Sequence, residues 1–559
     1  MTNFRNLTTI TFFIMALLMW GCTNSTSPSV PESATTQPDD AVTATDEGGN
    51  DAASVDNEAE ATDESAAEKE SVGDISTAAD KPVRILVENE VRTLDPYLMV
   101  NTHPEGSIAS HIWDTLTVLN ANLQVEPHLA ESWRIVNNVT WEVKLRPGIK
   151  FHNGEPVDSR AVAFSVERSM NLPNTTETFA ADVALDTVNI IDDYTIEFVT
   201  REPIVNFPYH LAFLEILPPT YYAETDPVQL GSAPIGSGPY QLAENTWRSG
   251  NAVTLLAFDD YWQGRPVTPQ ITFETVASSN ERLRQLQSGE AQLITDLPPM
   301  RPEQWGAQGS RLEAIESSQK MFIGIRAEEG SPLDDNRVRQ ALNHAVDVDH
   351  ITDLLLEGYG EKYGSWVYAL ADEAPDAWGY DPDLARQLLT EAGFADGFTT
   401  TLRTPSGFYY RDVDIATEIA RQLQEVGVHV EVSKETNSSI YMRELLQDNT
   451  APLFLLGLNS FGDPMEDAMS LVPGYPYNPI HWQSTEYTNL ISSAETNFNE
   501  SSRLRLLQQA QSIAYEQAPI IGLWKMYDFY GVDNTLDWTP RPDGLVNLYK
   551  PAENSEDVE

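Results

Sequence analysis

Apolar positions along the chain follow two periods in alternation. Residues 141–145 read WEVKL, with an apolar side chain at every second position, which is the period of a β-strand. Residues 385–392 carry apolar side chains at i, i+3, i+4 and i+7, the period of a helix, and Gly393 follows them. A second amphipathic helix is predicted to end at Val426, before Gly427 and an alternating VHVEV segment. Strands and helices that alternate in this way predict an α/β fold.

Turn and capping residues separate these segments. Residues 145–157 read LRPGIKFHNGEPV and contain the turn-forming pairs Pro-Gly and Asn-Gly. Asp158 follows at the position of a helix N-cap, and either Asp334 or Asp335 is predicted to cap a helix further along. A short apolar-rich strand is expected at 84–88.

The first apolar run differs from the others. Residues 10–20 read ITFFIMALLMW, preceded by Arg5 and followed by Gly21 and Cys22. A basic start, a short apolar stretch and a small residue before the cut are typical of a secretory signal, whereas a membrane span needs roughly 20 apolar residues. Because Cys22 follows Gly21, the segment resembles a lipobox, and we expect a signal peptide at 1–21 with lipid on Cys22. A plain signal peptide with an incidental cysteine is the alternative.

The composition after Cys22 predicts a disordered linker. Residues 23–80 contain 15 acidic residues, one basic residue and no aromatic residue, too little apolar surface to offset the entropy of ordering. We expect residues 22–81 to be this linker. The formal net charge of the whole chain is −51, which argues against a nucleic acid partner. A preference for cationic ligands, adaptation to a salty habitat and a merely solvated acidic surface all stay open.

Motifs of common catalytic and cofactor sites do not occur in the sequence. The 9 histidines include no HExxH pair, the PIGSGPY segment has neither the P-loop nor the dinucleotide spacing, and no GxSxG motif is present. Carboxylate pairs for glycoside hydrolysis cannot be selected among 85 acidic residues. The sequence therefore favours a protein with no cofactor, no metal and no enzymatic activity.

Short motifs in a fixed order give the chain a family resemblance. They include TLDPY, WDTLTVLN, EPHLAESW, LRPGIKFHNGEPV, APIGSGPYQL, RLRQLQSGEAQL, PLDDNRVRQALNHAVD, ARQLLTEAGF and AYEQAPIIGLW. In this order, from about Arg84 to Trp524, the chain resembles the large bacterial extracellular solute-binding proteins of family 5, the oligopeptide, dipeptide and nickel type. Gly236 and Gly238 of APIGSGPYQL are expected to permit a tight turn that a side chain would block.

The resemblance implies an α/β fold of the periplasmic-binding-protein-like type II, with two lobes around a cleft. The expected boundaries are 82–316 for lobe one, with an extra subdomain at about 113–207, then 317–525 for lobe two, 526–551 for a return to lobe one, and 552–559 for an acidic tail.

The resemblance also implies a function and partners. It implies a monomer that captures a small molecule or oligopeptide between its lobes and delivers it to the permease subunits of an ATP-binding-cassette importer. Lipid on Cys22 would hold it at the outer face of the cytoplasmic membrane or in the periplasm. A chemosensory or pheromone-binding receptor on the same fold and a secreted hydrolase are the alternatives. The ligand stays open among peptides, sugars, metal chelates and other compounds.

Two segments are expected to line the cleft. In relatives, the loop after TLDPY does so from lobe one, and here it offers Asn101, Thr102, His103 and Glu105. In lobe two, peptide-binding relatives carry an aspartate four residues before a proline, and it pairs with the amine of the peptide. Ser460 or Phe461 occupies that position here, next to Asn459. Glu105 or Asp463 would replace the aspartate if the backbone brought it into the cleft, although Asp463 before Pro464 is typical of an N-cap.

Further candidates come from the aromatic residues of lobe two. Rings near the expected cleft offer stacking surface, and an arginine offers a bidentate site for a carboxylate. These candidates are Phe408, Tyr409, Tyr410, Trp482 and Arg411.

Overall fold

The computed structural model describes residues 81–99, 103–171, 179, 183–244, 247, 252–306, 308–367, 370, 375–447, 451–460, 462–475, 478–480 and 482–552. The predicted signal peptide, Cys22 and all of the predicted linker except its last residue lie outside these ranges, as do residues 553–559. Three candidate ligand-binding residues, Asn101, Thr102 and Phe461, also lie outside them. Within the described ranges, no helix is long and apolar enough to cross a membrane.

Strands and helices alternate along most of the described chain. The strands are β1 (Val83–Val87), β2 (Thr117–Leu119), β3 (Val125–Pro127), β4 (Ala130–Asn137), β5 (Thr140–Leu145), β6 (Leu185–Asp192), β7 (Thr195–Thr200), β8 (Tyr240–Leu242), β9 (Ala252–Ala257), β10 (Gln270–Thr275), β11 (Leu293–Ile294), β12 (Ser310–Ile325), β13 (Glu361–Lys362), β14 (Phe398–Pro405), β15 (Val428–Glu435), β16 (Leu453–Asn459) and β17 (Ile520–Asp533). The helices are α1 (Glu105–Ile112), α2 (Ser159–Asn171), α3 (Phe207–His210), α4 (Pro219–Glu224), α5 (Pro227–Leu230), α6 (Ser279–Gln287), α7 (Asn336–Ala345), α8 (Val348–Leu355), α9 (Pro382–Glu391), α10 (Asp412–Glu425), α11 (Ser438–Leu446), α12 (Pro464–Met469), α13 (Thr485–Glu495) and α14 (Glu500–Gln517).

The elements predicted from periodicity are confirmed, and their caps explain where the helices begin. Asp158 precedes α2, and its Oδ1 accepts hydrogen bonds from the backbone N–H groups of Arg160 and Ala161. Of the two candidate caps for α7, Asp335 is the N-cap and accepts from the Arg337 N–H, while Asp334 lies in the preceding 3₁₀ turn. These side chains satisfy N–H groups that the first helical turn leaves without partners.

Two long strands connect the halves of the main sheet. In the described part of the chain, this sheet has the order β15-β14-β16-β12-β17-β11-β1-β10-β9-β8, with β13 beside β17. β12 and β17 pair antiparallel over most of their length, with register shifts between Glu316 and Lys320 and between Lys320 and Phe322. We call the part built on β1 and β8–β11 lobe one and the part built on β14–β16 lobe two. The chain thus passes between the lobes twice, and the residue boundaries given above stay a prediction.

Successive side chains along the central strands of lobe two point to opposite faces of the sheet, and each face carries its own hydrophobic core. Met321 and Ile323 of β12 pack with α7 to α10, whereas Phe322 between them packs with α11 to α14. Successive side chains of a strand point to opposite faces, so both faces must be apolar where helices cover both. A separate antiparallel sheet, β4-β5-β7-β6, packs with α2 around its own core beside lobe one, and we call this part the subdomain.

Candidate ligand-binding cleft

A cavity of about 160 Å³ lies where lobe one faces the crossing strand β12 and the end of β16. This volume is far above the roughly 10–15 Å³ that one water molecule needs, so the cavity can hold a solute. It is bordered by α1 and the residues after it, by the β2–β3 hairpin, by the segment around Glu215, and by the C-terminal segment around Arg541. Ser317 and Ser318 of β12 and Asn459 of β16 border it from the side of lobe two.

Helix α1 leaves room for the cavity because the face that it turns to the cavity carries small residues. Gly106, Ala109, Ser110 and Trp113 border the cavity and follow the helical spacing i, i+3, i+4 and i+7. On the opposite face, Ile108 and Ile112 are fully buried in the core of lobe one. The helix therefore supplies a shallow, mostly apolar wall that ends at Trp113.

Asp114 fixes the wall where α1 ends. Its carboxylate accepts hydrogen bonds from the Tyr261 hydroxyl (3.1 Å) and Trp262 Nε1 (3.1 Å), and His128 Nε2 lies 2.9 Å away. Burial raises the pKa of Asp114 to about 7, against the effect of the bonds from Trp262, Ser237 and Tyr261. With these partners, Asp114 holds the surrounding segments together.

The C-terminal segment closes the other side of the cavity. Arg541 pairs with Asp543 at 2.5 Å and donates to the backbone carbonyls of Leu119 and Asn120 in the β2–β3 hairpin. The Ser318 N–H donates to the Pro542 carbonyl at 2.9 Å, which joins this segment to the crossing strand. The charges of Arg541 and Asp543 therefore satisfy each other within the wall.

The predicted loop residues of lobe one that the structure describes are buried and have protein partners. His103 Nδ1 lies 2.8 Å from Ser107 Oγ and its Nε2 lies 3.1 Å from Thr295 Oγ1. Burial lowers the pKa of His103, so the ring is neutral at pH 7. Glu105 accepts a hydrogen bond from the Arg92 N–H at 3.0 Å. Both side chains hold the start of α1 in place instead of bordering the cavity.

In lobe two, Asn459 borders the cavity, whereas Ser460 is turned into the protein. The Ser460 hydroxyl donates to Asp467 Oδ2 at 2.9 Å and accepts from the Gly462 N–H. Asp463 is the N-cap of α12, as predicted, and accepts from the Met465 and Glu466 N–H groups. Neither Glu105 nor Asp463 borders the cavity, and both carboxylates accept hydrogen bonds from backbone N–H groups. Neither therefore stands in the cavity in place of the missing aspartate.

The structure places the aromatic candidates in the core or on the outer surface. Phe408 and Tyr409 pack in the core of lobe two, and the Tyr409 hydroxyl accepts from the Gly457 N–H at 2.9 Å. Trp482 is buried in the core on the other face of the sheet. Tyr410 is 45% exposed, and Arg411 pairs with Asp414 at 2.9 Å. Phe408 and Tyr409 lie in the turn before α10, and both rings point into the core. The sequence alone did not distinguish this core position from a position in the cleft.

The lobes touch outside the cavity as well, at the junction of the subdomain with α12. The Asn206 amide donates to Asp463 Oδ1 and Glu466 Oε1, each at 3.1 Å, and His210 Nε2 lies 3.4 Å from Glu466 Oε1. Burial and the nearby Glu466 raise the pKa of Asp463 to about 6. We call these four residues the interlobe junction, and their contacts link the subdomain to α12 of lobe two.

Comparison with protein families identifies the chain. The family described as bacterial extracellular solute-binding proteins, family 5 Middle, matches residues 124–477, more than half of the 559 residues. The chain belongs to the family 5 bacterial extracellular solute-binding proteins. The resemblance noted from the sequence motifs is therefore confirmed.

Relatives and solved structures agree with this assignment. The chain is 27% identical over 475 residues to the glutathione-binding protein GsiB of Salmonella paratyphi A, an alignment that covers 81% of this chain and 90% of the relative. HbpA2 from Haemophilus parasuis has a TM-score of 0.72 at 24% identity and covers 84% of this chain and 99% of its own. The periplasmic binding protein DppA from Helicobacter pylori, in complex with the peptide STSA, has a TM-score of 0.68 at 22% identity and covers 84% and 96%.

These structures confirm the type II, two-lobed α/β fold that the resemblance implies. Both GsiB and DppA are named as binding proteins. Within the described residues, no group of three or more histidine, cysteine, aspartate or glutamate side chains is arranged to hold a metal ion.

Proposed function

We propose that this protein is a lipid-anchored subunit of an ATP-binding-cassette importer that captures a short peptide or a solute of similar size. The observation that carries the proposal is the cavity that both lobes border, in a chain of the solute-binding family. A relative is named for binding glutathione, a peptide-like compound, and a structural neighbour was solved with the peptide STSA. Closing two lobes on a ligand excludes water, so polar contacts inside act in a low dielectric. Capture of this kind needs no catalytic group.

Native mass spectrometry of the full chain, extracted in detergent from cells grown on a peptide-rich medium, tests this proposal. We expect part of the protein to carry a non-covalent adduct with the mass of a short peptide or similar solute. The adduct should disappear on denaturation and return when a mixture of di- to pentapeptides is added to the refolded protein. A bare mass under both conditions argues against peptide capture.

The anchoring part of the proposal predicts the effect of Cys22→Ser. The sequence around Cys22, with Gly21 before it and an acidic segment after it, supports lipid attachment there. Without the thiol no lipid can be added, so we expect the variant to move from the detergent phase to the aqueous phase in a partition assay. Retention of Cys22→Ser in the detergent phase would contradict lipid attachment at this residue.

The closure part of the proposal predicts the effect of Asn206→Ala. The Asn206 amide donates two hydrogen bonds in the interlobe junction, one to Asp463 and one to Glu466. In the alanine variant both carboxylates lose this donor. We expect a larger radius of gyration of the ligand-free protein in small-angle scattering and a several-fold weaker affinity for peptide. Asn189→Ala, at an exposed position of β6, is the matched control and should leave both unchanged. Equal scattering profiles for the two variants would argue that the junction does not hold the lobes closed.

A further inference from the structure

Glu215 stands out among the charged groups that border the cavity. It lies in the segment before α4, between the fully buried Ile216 and the nearly fully buried Leu214, and it borders the cavity with Trp113 and Asp114. Its backbone carbonyl accepts a hydrogen bond from the Tyr97 hydroxyl at 2.7 Å. Its carboxylate accepts a hydrogen bond from its own backbone N–H, but among the described residues it has no ion pair and no hydrogen bond from another residue.

The neighbouring charges do not neutralise Glu215. Arg168 is held by a two-point contact with Asp95, whose own charge repels the Glu215 carboxylate. Arg541 is paired with Asp543 in the cavity wall. Burial lowers the pKa of His128 to about 4, so at pH 7 this ring carries no charge. A partly buried carboxylate without a cationic partner is costly, and the group must either keep a proton or receive a cation.

Resting on the proposed function, we infer that Glu215 binds a positively charged nitrogen group of the ligand, such as the free ammonium of a peptide. The carboxylate would then approach this group from lobe one. At the lobe-two position where peptide-binding relatives carry an aspartate, this chain has Ser460 or Phe461, so no carboxylate is present there. Ser460 is bonded to Asp467, and the nearby Asp463 caps α12. Among the described residues, Glu215 belongs to no group of three or more possible metal ligands, so its carboxylate suits an ammonium or guanidinium group better than a metal ion.

Binding of a cationic group at Glu215 should release a proton. Burial, followed by the nearby Asp95, raises the pKa of Glu215 to about 8, so at pH 7 the ligand-free protein holds a proton on this group. When the cationic group binds, the O–H bond of Glu215 breaks, its proton passes to the buffer, and the carboxylate pairs with the cation. The other titratable or charged groups around it are Asp95, Tyr97, Arg168, Asp114, His128, Arg541 and Asp543. Calorimetry at pH 7 in two buffers of different ionisation heat should therefore show release of close to one proton per peptide bound.

Glu215→Gln and the matched control Glu224→Gln test the assignment, since both replace a carboxyl group by an amide of the same size and Glu224 is exposed on α4 away from the cavity. The probes are a mixed tri- to pentapeptide library with free amines and the same library N-acetylated, in versions with and without lysine and arginine. We expect the wild-type protein and Glu224→Gln to bind the cationic libraries at least ~30-fold more tightly than the acetylated, lysine- and arginine-free library, as for a buried charge pair. Glu215→Gln should lose this preference and the proton release, and Glu215→Asp should regain part of both.

A fold control accompanies the binding test. The folded-state pKa of Glu215 is raised above its unfolded value, so the stability that its protonated form supports is present at low pH and is lost as the pH rises through about 8. The ligand-free Glu215→Gln variant should therefore melt no lower than wild type at pH 7 and higher at pH 9.

The outcomes separate the two claims. Peptide binding by wild type with the same cation preference in Glu215→Gln overturns the assignment of Glu215 and leaves the proposed function intact. A Glu215→Gln variant that melts well below wild type also contradicts the assignment, because it would reveal a partner that holds the carboxylate. Binding of none of the libraries by wild type contradicts the proposed function, and this inference with it.

Discussion

Replacing Arg282 with alanine is expected to lower the free energy of unfolding by at least ~3–5 kcal/mol, the cost of breaking a buried charged network. Arg282 lies on α6, and its guanidinium is completely buried in lobe one. It donates to the backbone carbonyls of Val276, Ala277, Thr295 and Asp296 at 2.7 to 3.1 Å, and Glu88 lies 3.4 Å away. Alanine would leave these carbonyls without donors and open a cavity among them.

Urea unfolding followed by tryptophan fluorescence measures this effect, with Arg284→Ala as the control. Arg284 lies two residues further along the same helix, is exposed, and pairs only with the surface residues Glu281 and Glu290 among the described ones. Its removal should leave the free energy of unfolding nearly unchanged, because exposed ion pairs contribute little to stability. Arg282→Lys should still be strongly destabilised, because an ammonium group cannot serve four carbonyls in the plane that the guanidinium does. Similar midpoints for Arg282→Ala and Arg284→Ala would contradict this explanation of the RLRQLQSGEAQL motif.

Replacing Gly236 with alanine is expected to prevent folding or to remove at least ~4 kcal/mol of stability, in the range reserved for severe steric conflicts. A Cβ atom on Gly236 would lie 1.9 Å from the Ile112 carbonyl oxygen and 2.8 Å from Trp113 Cδ1. The conflict is with the backbone at the end of α1, which cannot rotate away as a side chain would. A shift of this backbone would also displace Trp113, which forms part of the cavity wall.

Gly379→Ala is the control for this prediction, because nothing lies within 4 Å of a Cβ atom placed there. It should change the free energy of unfolding by less than about 1 kcal/mol, as for other substitutions on the surface. Thermal melting and the yield of soluble protein compare the two variants. Normal yield and an unchanged melting temperature for Gly236→Ala would show that the backbone at Ile112 relaxes at little cost.

Local sequence signals predicted the elements of the fold because their causes are local. The helix at 385–392 and the strand at 141–145 follow from the spacing of apolar residues, and Asp158 and Asp463 cap helices by bonds to residues two and three positions away. The glycines of PIGSGPY were recognised as necessary for a different reason. A tight turn was expected, whereas the structure shows close contact of Gly236 and Gly238 with the end of α1, more than a hundred residues earlier.

The cavity was harder to predict because it depends on contacts between distant segments. The small residues of α1 at 106, 109 and 110 form one helical face, a signal present in the sequence that gains meaning only when a cavity lies opposite it. No local pattern marks Glu215, since a single glutamate is usually a surface residue. Its lack of a cationic partner among the described residues is visible only in three dimensions. Conversely, Phe408 and Trp482 are aromatic residues near the expected cleft that the fold uses for its core.

The central claim is that a solute is captured by closing the two lobes over the cavity. The sequence contains one cysteine, so a Cys22→Ser background is free of thiols and accepts two new labelling sites. Spin labels at Asn189→Cys in the subdomain and Asn489→Cys in lobe two, both exposed positions, report the distance across the cleft by double electron–electron resonance. We expect a broad distribution of distances between the two labels without peptide, and a narrower distribution at shorter distance when the free-amine library saturates the protein. A distribution that stays the same at a peptide concentration at which native mass spectrometry shows the bound adduct would contradict it.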